Sequence, residues 1–114
     1  MSTRMTIQFQ DEFGDTFHVY RHCDGFPEDR LPEIQKVIEK AKGRWSGSEV
    51  GMLVSMFLGE MYVKGQRLPD YELTPEFHGD ESYKYYVRYI DGEWVASVGD
   101  LPTNRADAPP IQKP

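Results

Sequence analysis

Hydrophobic and polar residues alternate with period two over Met5-Thr6-Ile7-Gln8-Phe9-Gln10, as along a strand with one buried face. Asp11-Glu12-Phe13-Gly14-Asp15 breaks the pattern as a turn, and Thr16 to His22 resumes it. Phe17 and Val19 fall on one face of this second run, and His18, Tyr20 and His22 on the other. Two such runs joined by a short glycine-containing loop predict an antiparallel hairpin. The period then changes. From Glu28 to Lys42 the apolar positions are Leu31, Ile34, Val37, Ile38 and Ala41, the stripe of an amphipathic helix. Pro32 suits only a first turn, which places the helix start near Asp29 or Arg30, and Gly43 ends it. A second helix is expected from Ser48 to Val63. Ser46 with Glu49 has the form of a capping box, and Ser48 is a rival cap. Val50, Leu53, Val54, Phe57, Leu58 and Met61 line one broad face of this helix, and Met52 and Met56 carry apolar surface further round. A helix apolar on most sides is central to a core or carries an interface.

Lys64 to Asp70 reads as a loop, Tyr71-Glu72-Leu73 as the start of a third strand stopped by Pro75, and Phe77 to Glu81 as a turn. Ser82 to Ile90 alternates clearly: Tyr83, Tyr85, Val87 and Tyr89 face one way, and Lys84, Tyr86, Arg88 and Ile90 the other. Asp91-Gly92 marks a two-residue hairpin turn, after which Glu93 to Val98 returns as the last strand. The order β-β-α-α-β-β-β predicts an α+β domain over residues 1–100, with both helices on one face of an antiparallel sheet. The opposite face would carry some of His18, Tyr20, His22, Tyr86 and Arg88. The Pro-rich stretch 101–114 has no periodicity and is expected to be a flexible tail.

Composition changes this picture only a little. The 114 residues allow one two-layer domain, and a single cysteine excludes an internal disulfide framework. No apolar run is long enough to span a bilayer, and the N-terminus lacks a secretory-signal layout, so a cytoplasmic location without membrane contact is expected. Thirteen basic against nineteen acidic residues give a net charge of −6. That sign disfavours direct nucleic-acid binding and favours a basic protein partner, a nucleic-acid-binding one among them.

Candidate chemistry is sparse. His18, His22, Cys23, Asp24, His78 and Asp80 are good ligand types. However, His18 and His22, four apart on a strand, stand roughly 13 Å from end to end, and no zinc-type spacing occurs; neither metal nor cofactor is expected. Cys23 beside His22 and Asp24 has the residue types of a nucleophile and base, but neighbours on a strand point to opposite faces. Gly43, Gly47 and Gly51 lack the lysine and strand of a phosphate loop. The densest stretch is Tyr20-Arg21-His22-Cys23-Asp24-Gly25-Phe26-Pro27. There Asp24 can cap the turn or the following helix and Phe26 can pack beneath that helix, while Arg21 and Asp24 would stand at the rim of the sheet. The expected contact residues are Tyr20, Arg21, His22, Asp24, Phe26, Tyr86 and Arg88. The expected interface residues are Met52, Met56 and Trp45.

Met1-Ser2-Thr3-Arg4, an alternating strand with Phe9, and Tyr20-x-His22-x-Asp24-Gly25-Phe26-Pro27 resemble a group of small proteins from phages, prophages and other mobile elements. Those typically begin Met-Ser-Thr-Arg-Ala-Thr and carry Tyr-x-His-x-Asp-Gly-Tyr-Pro; this chain has Met5 for the alanine and Phe26 for the tyrosine. The resemblance covers the first third of the chain and implies an origin, not an active site. Together with small size, acidity and the over-apolar second helix, it leads to the expectation of a non-enzymatic binding protein. Such a protein would modulate a host protein, for instance a bacterial defence complex as anti-CRISPR proteins do, by steric or charge-based blocking. The competing expectations are a small hydrolase or nucleotide-processing enzyme using His22 and Asp24, with Cys23 as an additional candidate, and a homodimeric architectural or assembly protein joined through the second helix.

Overall fold

In the computed structural model the described residues are 3–42, 49–66 and 70–100, without the side chain of Asp100. The expected tail, Trp45, Gly43 and the capping serines 46 and 48 lie outside them. The elements are β1 (Met5–Gln10), β2 (Thr16–Arg21), α1 (Pro27–Ala41), α2 (Val50–Val63), β3 (Tyr71–Thr74), β4 (Tyr83–Ile90) and β5 (Glu93–Asp100). This is the expected α+β order, with five strands in one sheet in the order β3-β2-β1-β4-β5.

One pairing departs from an all-antiparallel sheet: β1 and β4 run parallel, Met5 beside Tyr83 through Gln10 beside Arg88. The helical pair and β3 intervene between them, the long crossover that a parallel neighbour demands. The β1–β2 and β4–β5 hairpins are antiparallel in register. Asp91 (φ 53) and Gly92 (φ 83) form the tight turn that their dipeptide predicts.

Both helices cover one face of the sheet. Met5, Ile7 and Phe9 of β1, Val19 of β2, Tyr85 and Val87 of β4, and Trp94 of β5 meet Ile34, Val37 and Ile38 of α1 and Leu53, Val54, Phe57 and Met61 of α2. These are the positions given by the two periodicities, and burying each large side chain stabilises the fold by roughly 1.5–3 kcal/mol. Gly65 (φ 87) ends α2: its N–H bonds the Tyr62 carbonyl while the Gln66 N–H reaches back to Met61, so these two carbonyls of the last turn are satisfied.

Helix α1 begins earlier than expected, at Pro27, with Phe26 in the cap position and its carbonyl accepting the Asp29 and Arg30 N–H groups. Pro27 has the φ a first helical residue needs and no N–H to leave unpaired. Pro32 therefore stands inside the helix rather than in its first turn, without an N–H for the carbonyl four residues back. Neither helix has a side-chain cap, so Asp24 does not cap α1.

The turn before α1 is fixed by close packing. Asp24 takes φ 56, a left-handed conformation that Asp tolerates. The Gly25 N–H bonds the Thr3 carbonyl at 2.9 Å, and the Tyr85 hydroxyl donates to the Gly25 carbonyl at 2.6 Å. Burial pushes the Tyr85 phenol far above its ordinary pKa of 10, which keeps this donor protonated. A Cβ on Gly25 would lie 2.7 Å from the Met5 Cβ. Gly25→Ala should therefore cost about 1–3 kcal/mol of overpacking. A lowered urea midpoint with an unchanged m-value would show it, and an unchanged midpoint would refute the packing argument.

Candidate functional site

The sheet face away from the helices carries the expected side chains, but it is not open to solvent. The segment after β3, residues 75–82, folds across it. Glu81, fully buried, fixes this strap: its carboxylate accepts the Thr6 hydroxyl and the N–H groups of His78 and Gly79. Phe77 packs edge-on to His18 and tilts against Tyr86, with Lys84 Nζ 4.6 Å from its ring centre. His78 stacks on Tyr20 at 3.6 Å, between the carboxylates of Glu72 and Asp80, and the Tyr20 hydroxyl donates to Asp80 at 3.3 Å. Tyr20 and Tyr86 are each only 1% exposed. The expectation of an open contact face at these two tyrosines is corrected by this second, aromatic core.

Beneath the strap the polar groups are matched in a chain. Arg88 Nη2 donates to Gln8 Oε1, so the Gln8 amide nitrogen must be the donor to His18 Nε2, 3.1 Å away. His18 is thereby a neutral imidazole protonated on Nδ1, an atom buried without a hydrogen-bond partner among the described residues. Burial lowers its pKa below 6.5, against the opposing pull of Glu76.

Arg21 is on the other face, inside the protein. Its guanidinium bonds the Cys23 carbonyl at 2.6 Å and Gln66 Oε1 at 2.8 Å, and lies 4.9 Å from the Tyr71 ring centre. Gln66 Oε1 also accepts from Arg30 and the Tyr71 hydroxyl, while its amide nitrogen donates to Glu33. Glu33 is further paired with Arg30 and Lys64. This buried cluster joins α1, the end of α2, β2 and β3. Arg21 is therefore a structural residue here and not the rim contact expected of it.

The remaining expected contacts are dispersed. Asp24 is exposed and paired with Arg21 at 3.8 Å; His22 is exposed with its ring against the edge of Tyr20; Phe26 is partly exposed and tilted against Tyr83. Arg88, half-buried, is engaged with Gln8. The seven residues thus occupy two faces of the sheet and one turn and do not make one site. Among the described residues no cluster of three or more His, Cys, Asp or Glu converges as a metal site would.

Exposed apolar surface concentrates elsewhere, at the β1–β2 turn and on α2. Phe13 is 77% exposed at the tip of the hairpin. The turn holding it is rigid: Asp11 Oδ1 accepts the N–H groups of Phe13 and Asp15, the Asp11 N–H bonds the Asp15 carbonyl, and Gly14 takes φ 93. An open depression of about 440 Å³ lies beside the tip, lined by Phe13, Phe17 and Val50 with Asp11, Asp15 and Glu49. It continues along α2 into a second, of about 510 Å³, lined by Met52, Ser55 and Met56. The interface expected at Met52 and Met56 is thus half-exposed surface beside a groove. The Phe13 signal was present in the sequence as a lone aromatic among the acids of a turn, but turn composition alone assigned it no role.

No protein-family model matches the chain, and neither a curated protein nor a solved structure matches it. No helix of the described residues is long and apolar enough to cross a membrane.

The buried His18 has a testable consequence. Because its folded pKa is depressed, its contribution to stability is complete above pH 6.5 and is lost as the pH falls through 6.5 toward the folded value, where only the unfolded chain gains the proton. The urea midpoint of the wild-type protein should therefore fall over that acid range more steeply than that of His18→Gln. His22 and His78 remain in both proteins, so parallel slopes would show that His18 is not the group responsible.

Proposed function

We propose that this chain is a non-enzymatic binding protein that blocks a basic site on a protein partner, with the hairpin tip as its inserting element. The observation that carries this reading is Phe13, a large apolar side chain held out in solvent by a rigid turn and ringed by Asp11, Glu12 and Asp15. A monomer gains nothing from such exposure. Interface energy, by contrast, concentrates in aromatic anchors that are already rigid and that enter a pocket as water leaves it. The acids around the tip would speed encounter with a basic surface and select against acidic ones. The net charge of −6 acts in the same direction.

The phage-type resemblance of the first third gives this reading its biological direction, a host protein in the cytoplasm. A nucleic-acid-binding component of a bacterial defence complex is the version that best suits an acidic blocker. The tip would act there as a steric plug with the charge of the displaced nucleic acid.

The test is a tagged pull-down from bacterial lysate at two salt concentrations with wild type and Phe13→Ser. A salt-sensitive partner should be retained by the wild type, and its affinity should drop about 30-fold or more in the variant, the usual cost of truncating a central anchor. The exposed position predicts unchanged thermal stability. Equal capture by both proteins, or capture by neither, would overturn the assignment of the tip.

A further inference from the structure

The strap over the outer sheet face is attached differently from the rest of the fold. Among the described residues no backbone-to-backbone hydrogen bond ties 75–81 to the sheet, whereas Ser82 and Tyr83 both donate to the Arg4 carbonyl. Residues 75–81 are held instead by side chains. The Glu81 carboxylate gathers the His78 and Gly79 N–H groups, and the rings of Phe77 and His78 lie on the sheet. None of these residues belongs to the helix-side core. A segment attached in this way opens at a lower free energy than the whole domain unfolds.

Beneath Phe77 lies a relay of fixed polarity. Arg88 is a donor at every pH, so the Gln8 oxygen faces it and the Gln8 amide N–H faces His18 Nε2. A proton on Nε2 would set donor against donor, and turning the amide would only move the conflict to Arg88. The other ring nitrogen, Nδ1, is buried without an acceptor among the described residues. The charged groups around His18 are Arg88 from β4 and Glu76 and Glu81 from the strap. The phenols of Tyr20 and Tyr86 share its sheet face, and β3 sets the uncharged Thr74 beside it in register. The two carboxylates attract a charge on the ring, but burial outweighs them.

We propose that residues 75–81 form an acid-opened strap: a proton from solvent on His18 Nε2 breaks the bond to Gln8, Phe77 lifts away, and Tyr20 and Tyr86 are bared while the helix-side core stays folded. In the open form the imidazolium meets water, so its ordinary pKa of 6.5 applies there. The closed form binds that proton less well, so acid favours opening, by at most about tenfold per pH unit for one proton. His78 acts in the opposite sense, because a charge on its ring is drawn to Glu72 and Asp80. Both carboxylates are half-exposed, and that pull is weak. The strap shares no residue with the hairpin tip, so this device does not rest on the proposed blocking function.

Amide hydrogen exchange of the full chain, corrected for intrinsic rates, tests the proposal. At every pH the opening constant at His78 and Gly79 should exceed that of the β1 amides by at least about a hundredfold, the mark of local opening. Between about pH 7.5 and about pH 5.5 it should rise several-fold, up to about tenfold. The His18 imidazole, followed by NMR in the same protein, should titrate over the range in which the strap opens. His18→Gln should abolish the rise. Should that variant not fold, Phe77→Ser supplies the converse: an open strap at both pH values, with the His18 midpoint returned toward 6.5. Strap amides that exchange only as slowly as β1, or an opening constant indifferent to pH, would overturn the proposal. So would a rise that persists in His18→Gln, which would assign the titration to the Glu81 carboxylate, or a His18 midpoint unmoved by Phe77→Ser.

Discussion

The structure depends on β1 being buried on both faces. Met5, Ile7 and Phe9 enter the helix-side core, while Thr6, on the opposite face, is equally inaccessible and holds the Glu81 carboxylate. A two-layer domain of this size ordinarily leaves one sheet face to water. Here the first strand of the chain becomes the middle of the sheet, and everything later is positioned against it. Strand β2 folds back along one edge, the helices cover one face, β4 returns parallel on the other edge, and residues 75–82 close the second face. The carboxylate at 81 is the costliest of these placements. A fully buried acid is tolerated because a hydroxyl and two backbone N–H groups meet it. The strap therefore acts as a third layer, fixed by the polar lock at Glu81 together with the ring packing of Phe77 and His78.

That third layer explains what the sequence could and could not disclose. Periodicity is a local signal, and wherever one face of an element is buried against another it was informative. The stripe Ile34, Val37, Ile38 and Ala41, the broad face of α2, and the division of Tyr85 and Val87 from Tyr86 and Arg88 all stand as the spacing predicts. The signal does not say which strands are neighbours. The parallel pairing of β1 with β4 joins residues nearly 80 positions apart and leaves no mark in either strand. Nor does it reveal a cover made of irregular backbone. Phe77, His78 and Glu81 have turn composition, and their role comes from contacts with Thr6, His18 and Tyr20.

The same reasoning accounts for the candidate residues. A stretch such as Tyr20 to Pro27 draws attention because it concentrates chemically versatile side chains, yet versatility also suits them for internal contacts. Tyr20 stacks on His78, Arg21 serves Gln66 and the Cys23 carbonyl, and Gly25 is held between Thr3 and Tyr85. Residues drawn into such networks are expensive to expose. The large apolar side chains that these networks leave exposed include Phe13, Tyr62 and Val63.

Whether an exposed apolar group signals recognition depends on what holds it there. Val63 stands at a helix end, where orientation follows from the helix itself. Phe13 is different: four hydrogen bonds within five residues and a left-handed glycine fix the turn that lifts it away from the core. A floppy loop could fold such a ring back onto the groove beside Phe17 and bury it. A rigid turn prevents that collapse, so the apolar surface stays exposed, and its ordering entropy is already spent before any partner arrives. The tip is thus held against its own hydrophobic interest, with Asp11, Glu12 and Asp15 around it.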